Sequence, residues 1–150
     1  MKRFWLTILF FAIALVILFF AVRKKTSVRT DYTVQQALLN LSNKDVSYGT
    51  FSLKGKWEFY WQQLLLPDDL SVYTPSYVSF PSLWNDIELN GRSLSSKGYA
   101  TYKFRLILPS QRPEMALEIP DTYSTYALYI NGKLLAGNGK PAIQKEDAVP

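Results

Sequence analysis

Apolar and polar side chains alternate in short runs from residue 52 onward, and clusters of Pro, Gly, Asn and Ser separate the runs. The period is two in residues 56–61, 99–108, 115–119 and 126–130. Alternation with one apolar face is typical of half-buried strands in an antiparallel sheet. The pattern therefore predicts an all-β fold, an antiparallel sandwich, rather than alternating strands and helices.

Asn-Gly dipeptides mark the ends of several of these runs. Asn131-Gly132 lies between the run at 126–130 and Leu134-Leu135-Ala136, and Asn90-Gly91 and Asn138-Gly139 repeat the same pair. A type I′ turn needs positive φ at both central residues, which Asn and Gly tolerate best. We therefore predict a β-hairpin that turns at Asn131-Gly132.

The segment 33–41 is ambiguous. Val34, Leu38 and Leu41 have the i, i+4, i+7 spacing of a short helix, whereas Leu39 and Leu41 alternate as in a strand. Both interpretations stay open on the sequence alone.

Residues 4–22 form a continuous apolar run in which Thr7 is the only polar residue. A helix of this length rises about 28 Å, close to the hydrocarbon thickness of a bilayer. Cations flank both of its ends, and no small-x-small triplet follows it, which favours an uncleaved anchor over a cleaved signal peptide. We expect a signal anchor at 1–25, a juxtamembrane linker at 26–36 and a β domain at 37–150.

Charge is concentrated beside this apolar run. Six of the 17 cations and none of the 12 acidic residues lie in residues 1–30, which leaves 11 cations against 12 acids in the rest of the chain. A nucleic-acid-binding protein would be expected to spread its Lys and Arg over a folded face, so no nucleic-acid partner is predicted.

The chain contains no His and no Cys. Ser-His-Asp and Cys-His catalysis, thiol redox chemistry and zinc sites built from His or Cys are therefore excluded. No catalytic residue is proposed, and the domain is expected to be non-enzymatic.

Four segments resemble a known family in their order and spacing. They are GKWEFYWQQLLLP (55–67), PSLW (81–84), GYATYKFRLILP (98–109) and ALEIPDTYSTYALYINGKLLAGNG (116–139). Together they resemble the N-terminal extracytoplasmic sensor domain of bacterial seven-transmembrane receptors with diverse intracellular signalling modules. The resemblance implies a galactose-binding-like jelly roll that binds carbohydrate or another small ligand and takes part in signal transduction.

This resemblance sets several expectations. The domain should face the periplasm or the cell exterior, held at the cytoplasmic membrane by one N-terminal span. The family's domain has further strands, so we expect a C-terminally truncated jelly roll, a fragment of a longer receptor, and a receptor homodimer as its assembly. The alternative is the non-catalytic sugar-binding jelly-roll domain of a glycoside hydrolase. A third interpretation is a partner-binding module without a small ligand.

Most aromatic residues of the alternating runs are predicted to be core. Trp57, Phe59 and Trp61 share one strand face, and Tyr102 and Phe104 share another. Tyr60 lies on the opposite face of its strand, so it is expected to face out and to be available to a sugar.

The loop around Trp84 supplies the other candidate ligand residues. Trp84 precedes Asp86 in a loop-like stretch, and an aromatic ring beside carboxylate and amide groups suits a sugar or small-ligand contact. The alternative is a tryptophan that folds over one end of the sandwich.

The remaining charged clusters favour structural interpretations. The acidic pairs at 68–69, 86/88 and 146–147 are interpreted as solvated turn residues, with no metal site or cofactor predicted, although a structural Ca²⁺ stays open through the resemblance. Glu118 is expected to form a cross-strand pair with Lys103 or Arg105.

Overall fold

A computed structural model of the protein describes residues 29–120 and 124–149. The described residues form an all-β structure with short 3-10 turns and no α-helix. The strands are β1 (Arg29–Val34), β2 (Leu38–Asn40), β3 (Thr50–Trp61), β4 (Ser76–Phe80), β5 (Glu88–Leu89), β6 (Arg92–Ser93), β7 (Ala100–Lys103), β8 (Arg105–Ile107), β9 (Tyr126–Ile130) and β10 (Lys133–Asn138).

The long strand β3 organises the largest sheet. Strand β4 pairs with it antiparallel along one edge, while β1 and β7 pair with successive parts of it. The β1–β3 pairing is parallel, and so is the pairing of β2 with β8, so the expected purely antiparallel arrangement is wrong for these two pairs. A left-handed turn at Gln36 and Ala37 separates β1 from β2, and each of the two strands therefore finds a different partner.

Two sequence expectations need correction. Strand β1 occupies 29–34, within the segment expected to be a linker, and it pairs with β3 along its whole length. Residues 115–119, expected to be a strand, belong to no strand, and Met115 and Leu117 are exposed. Pro113 and Pro120 bracket this stretch and lack the N–H groups that a ladder needs, and no described strand lies against it.

The open question at 33–41 is decided in favour of strands. Val34 ends β1, Leu39 lies within β2, and Leu39 and Leu41 are both buried. Val34 and Leu41 are buried, but Leu38, the third residue of the helical spacing, is exposed, so the three do not form one buried helix face.

The predicted hairpin turn at Asn131-Gly132 forms, and Asn90-Gly91 forms a second one. Asn131 and Gly132 have φ of 50° and 78°, and they connect β9 to β10 with Ile130 opposite Lys133. Asn90 and Gly91 have φ of 52° and 75° and connect β5 to β6 in the same way. Positive φ at both central residues is the signature of a type I′ turn, as the dipeptide predicts.

Two hydrophobic clusters lie along the main sheet. The first is centred on Val34, Leu39, Leu41 and Val46, and the second on Phe59, Val78 and Ile87. Contacting aromatic rings connect the two clusters, with Trp57 stacked 4.0 Å from Phe80 and Tyr102 lying 4.8 Å from Phe59 between ring centroids.

The described residues contain no helix long and apolar enough to cross a membrane. The predicted span at 4–22 lies outside the described residues.

Candidate functional site

The side chains of β3 divide between two faces at its carboxyl end. Phe59 is 1% exposed and packs with Trp61 and Tyr102 on one face, as the alternation predicts. Trp57 and Phe104 are half-buried in the first cluster, and their ring centroids are 4.2 Å apart.

The expectation that Tyr60 faces solvent is wrong, because its side chain is only 3% exposed. Thr101 lies opposite Tyr60 in the β3–β7 register. The Thr101 hydroxyl donates to the carbonyl of Gln63 and accepts from the amide of Leu65, at 2.8 and 2.9 Å. The chain after β3 is therefore held against the second face of the sheet, the face on which Tyr60 lies.

The Tyr60 hydroxyl is part of a small polar network. It donates to Glu58 Oε2 at 2.9 Å, and Lys103 Nζ lies 3.1 Å from the same oxygen. Burial, and then the Glu58 hydrogen bond and charge, raise the pKa of Tyr60 to about 12. The phenol is therefore harder to deprotonate than that of a free tyrosine, which keeps its donated hydrogen bond to Glu58 in place. Lys103 pairs with Glu58, so the expected pairing with Glu118 is wrong for this cation.

Trp84 lies in a 3-10 turn and packs inward. Its ring meets Trp61 edge to face at 5.0 Å between centroids, and its Nε1 donates to the Tyr102 hydroxyl at 3.0 Å. Trp84 thus closes one end of the second cluster, which is the alternative that the sequence left open. Asp86 lies in the same turn with its side chain exposed. The structure does not bring Tyr60, Trp84 and Asp86 together at one site, since Tyr60 and Trp61 are adjacent strand residues and point to opposite faces.

An open cleft lies where β4 begins beside β3. Its volume is about 630 Å³. Phe59, Trp61, Leu89 and Leu94 supply the apolar part of the lining, together with Tyr60. The polar part of the lining comes from Gln63, Thr74, Ser76, Asn90 and Arg92.

The backbone of Trp61 also faces this cleft. The amide of Gln62 donates to Tyr99 and the carbonyl of Lys56 accepts from Ala37, so even-numbered residues of β3 bond towards the edge that β1 and β7 occupy. Alternate residues of a strand bond in opposite directions. The peptide groups of Trp61 therefore point towards the β4 edge, and β4 begins at Ser76, opposite Phe59. The Trp61 N–H and C=O thus have no strand partner on that side among the described residues.

Gln63 contributes an unsatisfied acceptor. Its Oε1 is buried and has no hydrogen-bond partner among the described residues. An unpaired buried polar group costs about 1–3 kcal/mol. Because this oxygen is closed to solvent, a hydroxyl or amide donor in the cleft would offset that cost only if the Gln63 side chain turned towards it.

Sequence reasoning missed the polar half of the cleft. The polar lining residues lie on three separate segments: Gln63 after β3, Thr74 and Ser76 around the start of β4, and Asn90 and Arg92 in the β5–β6 hairpin. The nearest signal was Asn90-Gly91, which predicts a turn but not that the turn borders a cleft.

Among the described residues, no group of three or more acidic side chains lies close enough together to hold a metal ion. The acidic residues Asp68, Asp69, Asp86 and Glu88 are all exposed. The cleft lining contains no carboxylate.

Comparison with known proteins gives no match to this chain. No family model matches it, and neither does any curated protein or solved structure.

Proposed function

We propose that this protein is the ligand-sensing part of a membrane-bound bacterial receptor, and that the cleft beside β3 binds a carbohydrate or a similar polyhydroxylated small molecule. The observation that carries the proposal is the composition of the cleft. An indole, two hydroxyl side chains, two carboxamides and a guanidinium border one open volume of about 630 Å³.

These groups suit a sugar better than an apolar ligand. Each sugar hydroxyl both donates and accepts hydrogen bonds, and side-chain hydroxyls and carboxamides do the same. The unpaired Gln63 Oε1 would gain a hydrogen bond from a sugar hydroxyl once the side chain turned into the cleft. The lining contains no carboxylate pair of the kind that glycoside hydrolysis uses, which supports binding rather than catalysis.

The proposal also covers the fold that carries the cleft and its anchoring in the membrane. We assign the β structure to a galactose-binding-like jelly roll on the strength of the sequence resemblance and of the all-β architecture. Residues 4–22 would anchor it in the cytoplasmic membrane, with the β domain outside the cytoplasm. Strand β1 begins soon after this segment and pairs with β3, whose carboxyl end borders the cleft. A direct strand connection would then link the anchor to the ligand site.

A binding measurement on the full chain tests this function. The protein in detergent micelles would be titrated by isothermal calorimetry with a panel of neutral and acidic monosaccharides. We expect saturable binding of at least one sugar, weakened about tenfold in Gln63→Met, which removes the unpaired acceptor and keeps the side-chain length.

The matched control is Gln111→Met, because Gln111 is an exposed glutamine outside the cleft. It should bind as the parent does. Absence of binding to every sugar in the panel by a chain that unfolds cooperatively would contradict the proposal and favour a module that binds a partner protein.

A further inference from the structure

Arg92 is the only charged residue among those that line the cleft. It lies on β6 opposite Leu89, and no described acidic residue forms an ion pair with it. Tyr60, the other titratable residue of the lining, carries no charge at neutral pH, since an ordinary phenol has a pKa of about 10 and burial raises that of Tyr60 further. The lining therefore has a net charge of +1.

We infer that the cleft selects acidic saccharides, sugars that carry a carboxylate, over neutral sugars of the same shape. This inference rests on the proposed function, since it names the chemical class of ligand for the same cleft. A guanidinium binds a carboxylate through two parallel charge-assisted hydrogen bonds, which are stronger than bonds between neutral groups.

The polar groups of the lining are distributed as expected for a ligand with a carboxylate at one end and hydroxyls at the other. Arg92 and Asn90 lie in the hairpin of β5 and β6, whereas Gln63 follows β3 and Ser76 begins β4. A carboxylate on Arg92 would leave the sugar hydroxyls to Gln63, Ser76 and Thr74. A bare anion would use Arg92 alone and leave the Gln63 Oε1 acceptor unpaired.

Because the cleft lining contains no carboxylate, the expected preference is for anionic ligands over cationic ones. An acidic residue beside Arg92 would neutralise it and would repel an anionic ligand. Since the lining contains none, a ligand carboxylate meets an unpaired cation, and a cationic amino sugar meets a like charge.

The test compares D-galacturonate with D-galactose, which differ in the group at C6. The full chain in detergent micelles would be titrated with each sugar at low ionic strength. We expect galacturonate to bind about tenfold more tightly than galactose, and Arg92→Gln to reduce that ratio to about one. The control Arg105→Gln, at an exposed arginine outside the cleft, should leave both affinities unchanged.

Four results would overturn the inference. Equal affinity for the two sugars, or a galacturonate preference that survives Arg92→Gln, would overturn the role of Arg92 and leave the proposed function standing. Acetate competing as well as galacturonate would show a simple anion site. Binding of neither sugar, by a chain that unfolds cooperatively in both variants, would overturn the inference and the proposed function together.

Discussion

Strands β3 and β9 have a similar alternating pattern but very different packing. Phe59 in β3 is 1% exposed whereas Ile130 in β9 is 42% exposed, and Leu134 and Leu135, which are adjacent in the partner strand β10, are each 63% exposed. Every described residue of β10 is exposed. Alternation therefore specifies a strand and its two faces, but burial depends on a second layer, which the described residues supply to the sheet and not to the β9–β10 hairpin.

The difference also shows in what holds each unit in place. Side-chain hydrogen bonds tie the sheet to the segments around it, such as Trp84 to Tyr102 and Thr101 to Gln63. The hairpin depends on its own ladder and on the turn at Asn131-Gly132. Mutations should therefore have large effects in the sheet and small ones in the hairpin.

The largest expected contrast is between Phe59→Ala and Leu134→Ala. Removing the buried ring should lower the free energy of unfolding by about 3–5 kcal/mol. Truncating the exposed leucine should change it by about 0.5 kcal/mol or less. Urea unfolding of the full chain, followed by tryptophan fluorescence, measures both. Equal losses in the two variants would show that the hairpin is packed as well as the sheet.

Two glycines with positive φ give a second matched pair. A Cβ on Gly55 would overlap the backbone of Val34 in β1, whereas a Cβ on Gly132 would meet nothing within 4 Å. Gly55→Ala should therefore cost about 2–5 kcal/mol, from strain and from displacement of β1.

Gly132→Ala should cost about 1–2 kcal/mol, from backbone strain alone. The same unfolding measurement compares the two. A Gly55→Ala variant as stable as the parent would contradict the close pairing of β1 with β3.

The smallest expected effect concerns the Tyr60 hydroxyl. Tyr60→Phe should lose about 0.5–1.5 kcal/mol by removing the hydrogen bond to Glu58. Since the pKa of Tyr60 is raised to about 12 in the folded state, the unfolded chain releases this proton first as the pH rises. The stabilisation is fully present below pH 10 and is lost between about pH 10 and 12.

Unfolding measured across that pH range tests this point. The parent should lose stability more steeply than Tyr60→Phe, while Tyr129→Phe in the hairpin should behave as the parent does. Identical slopes in the parent and in Tyr60→Phe would contradict the buried environment of Tyr60.

The sequence predicted which segments form strands and turns better than it predicted which strands pair with each other. The all-β class and the turns at Asn90-Gly91 and Asn131-Gly132 follow from local rules, because period and turn chemistry are local properties. The parallel pairing of β1 with β3 depends on contacts between residues far apart in sequence, and no local pattern encodes it. For the same reason, strand β1 was expected to be a linker.

The candidate site was less predictable than the fold. Alternation placed Tyr60 on the face opposite Phe59, but the segment that covers that face, held by Thr101, has no signal in the sequence. Trp84 was singled out for its loop position, and the structure uses it to close the core. The polar residues around the cleft come from separate turns and strand ends, so only the folded chain brings Gln63 and Arg92 to one place.

The most direct test of the account locates the bound sugar residue by residue. Backbone amide shifts of the isotope-labelled full chain would be followed by NMR during a D-galacturonate titration. We predict that the amides of Trp61, Asn90 and Arg92 shift together and saturably, while those of Leu134 and Leu135 in the hairpin stay unchanged. Shifts confined to the hairpin or to the Asp86 turn, with the amides of Trp61 and Arg92 unmoved, would contradict the assignment of the cleft as the ligand site.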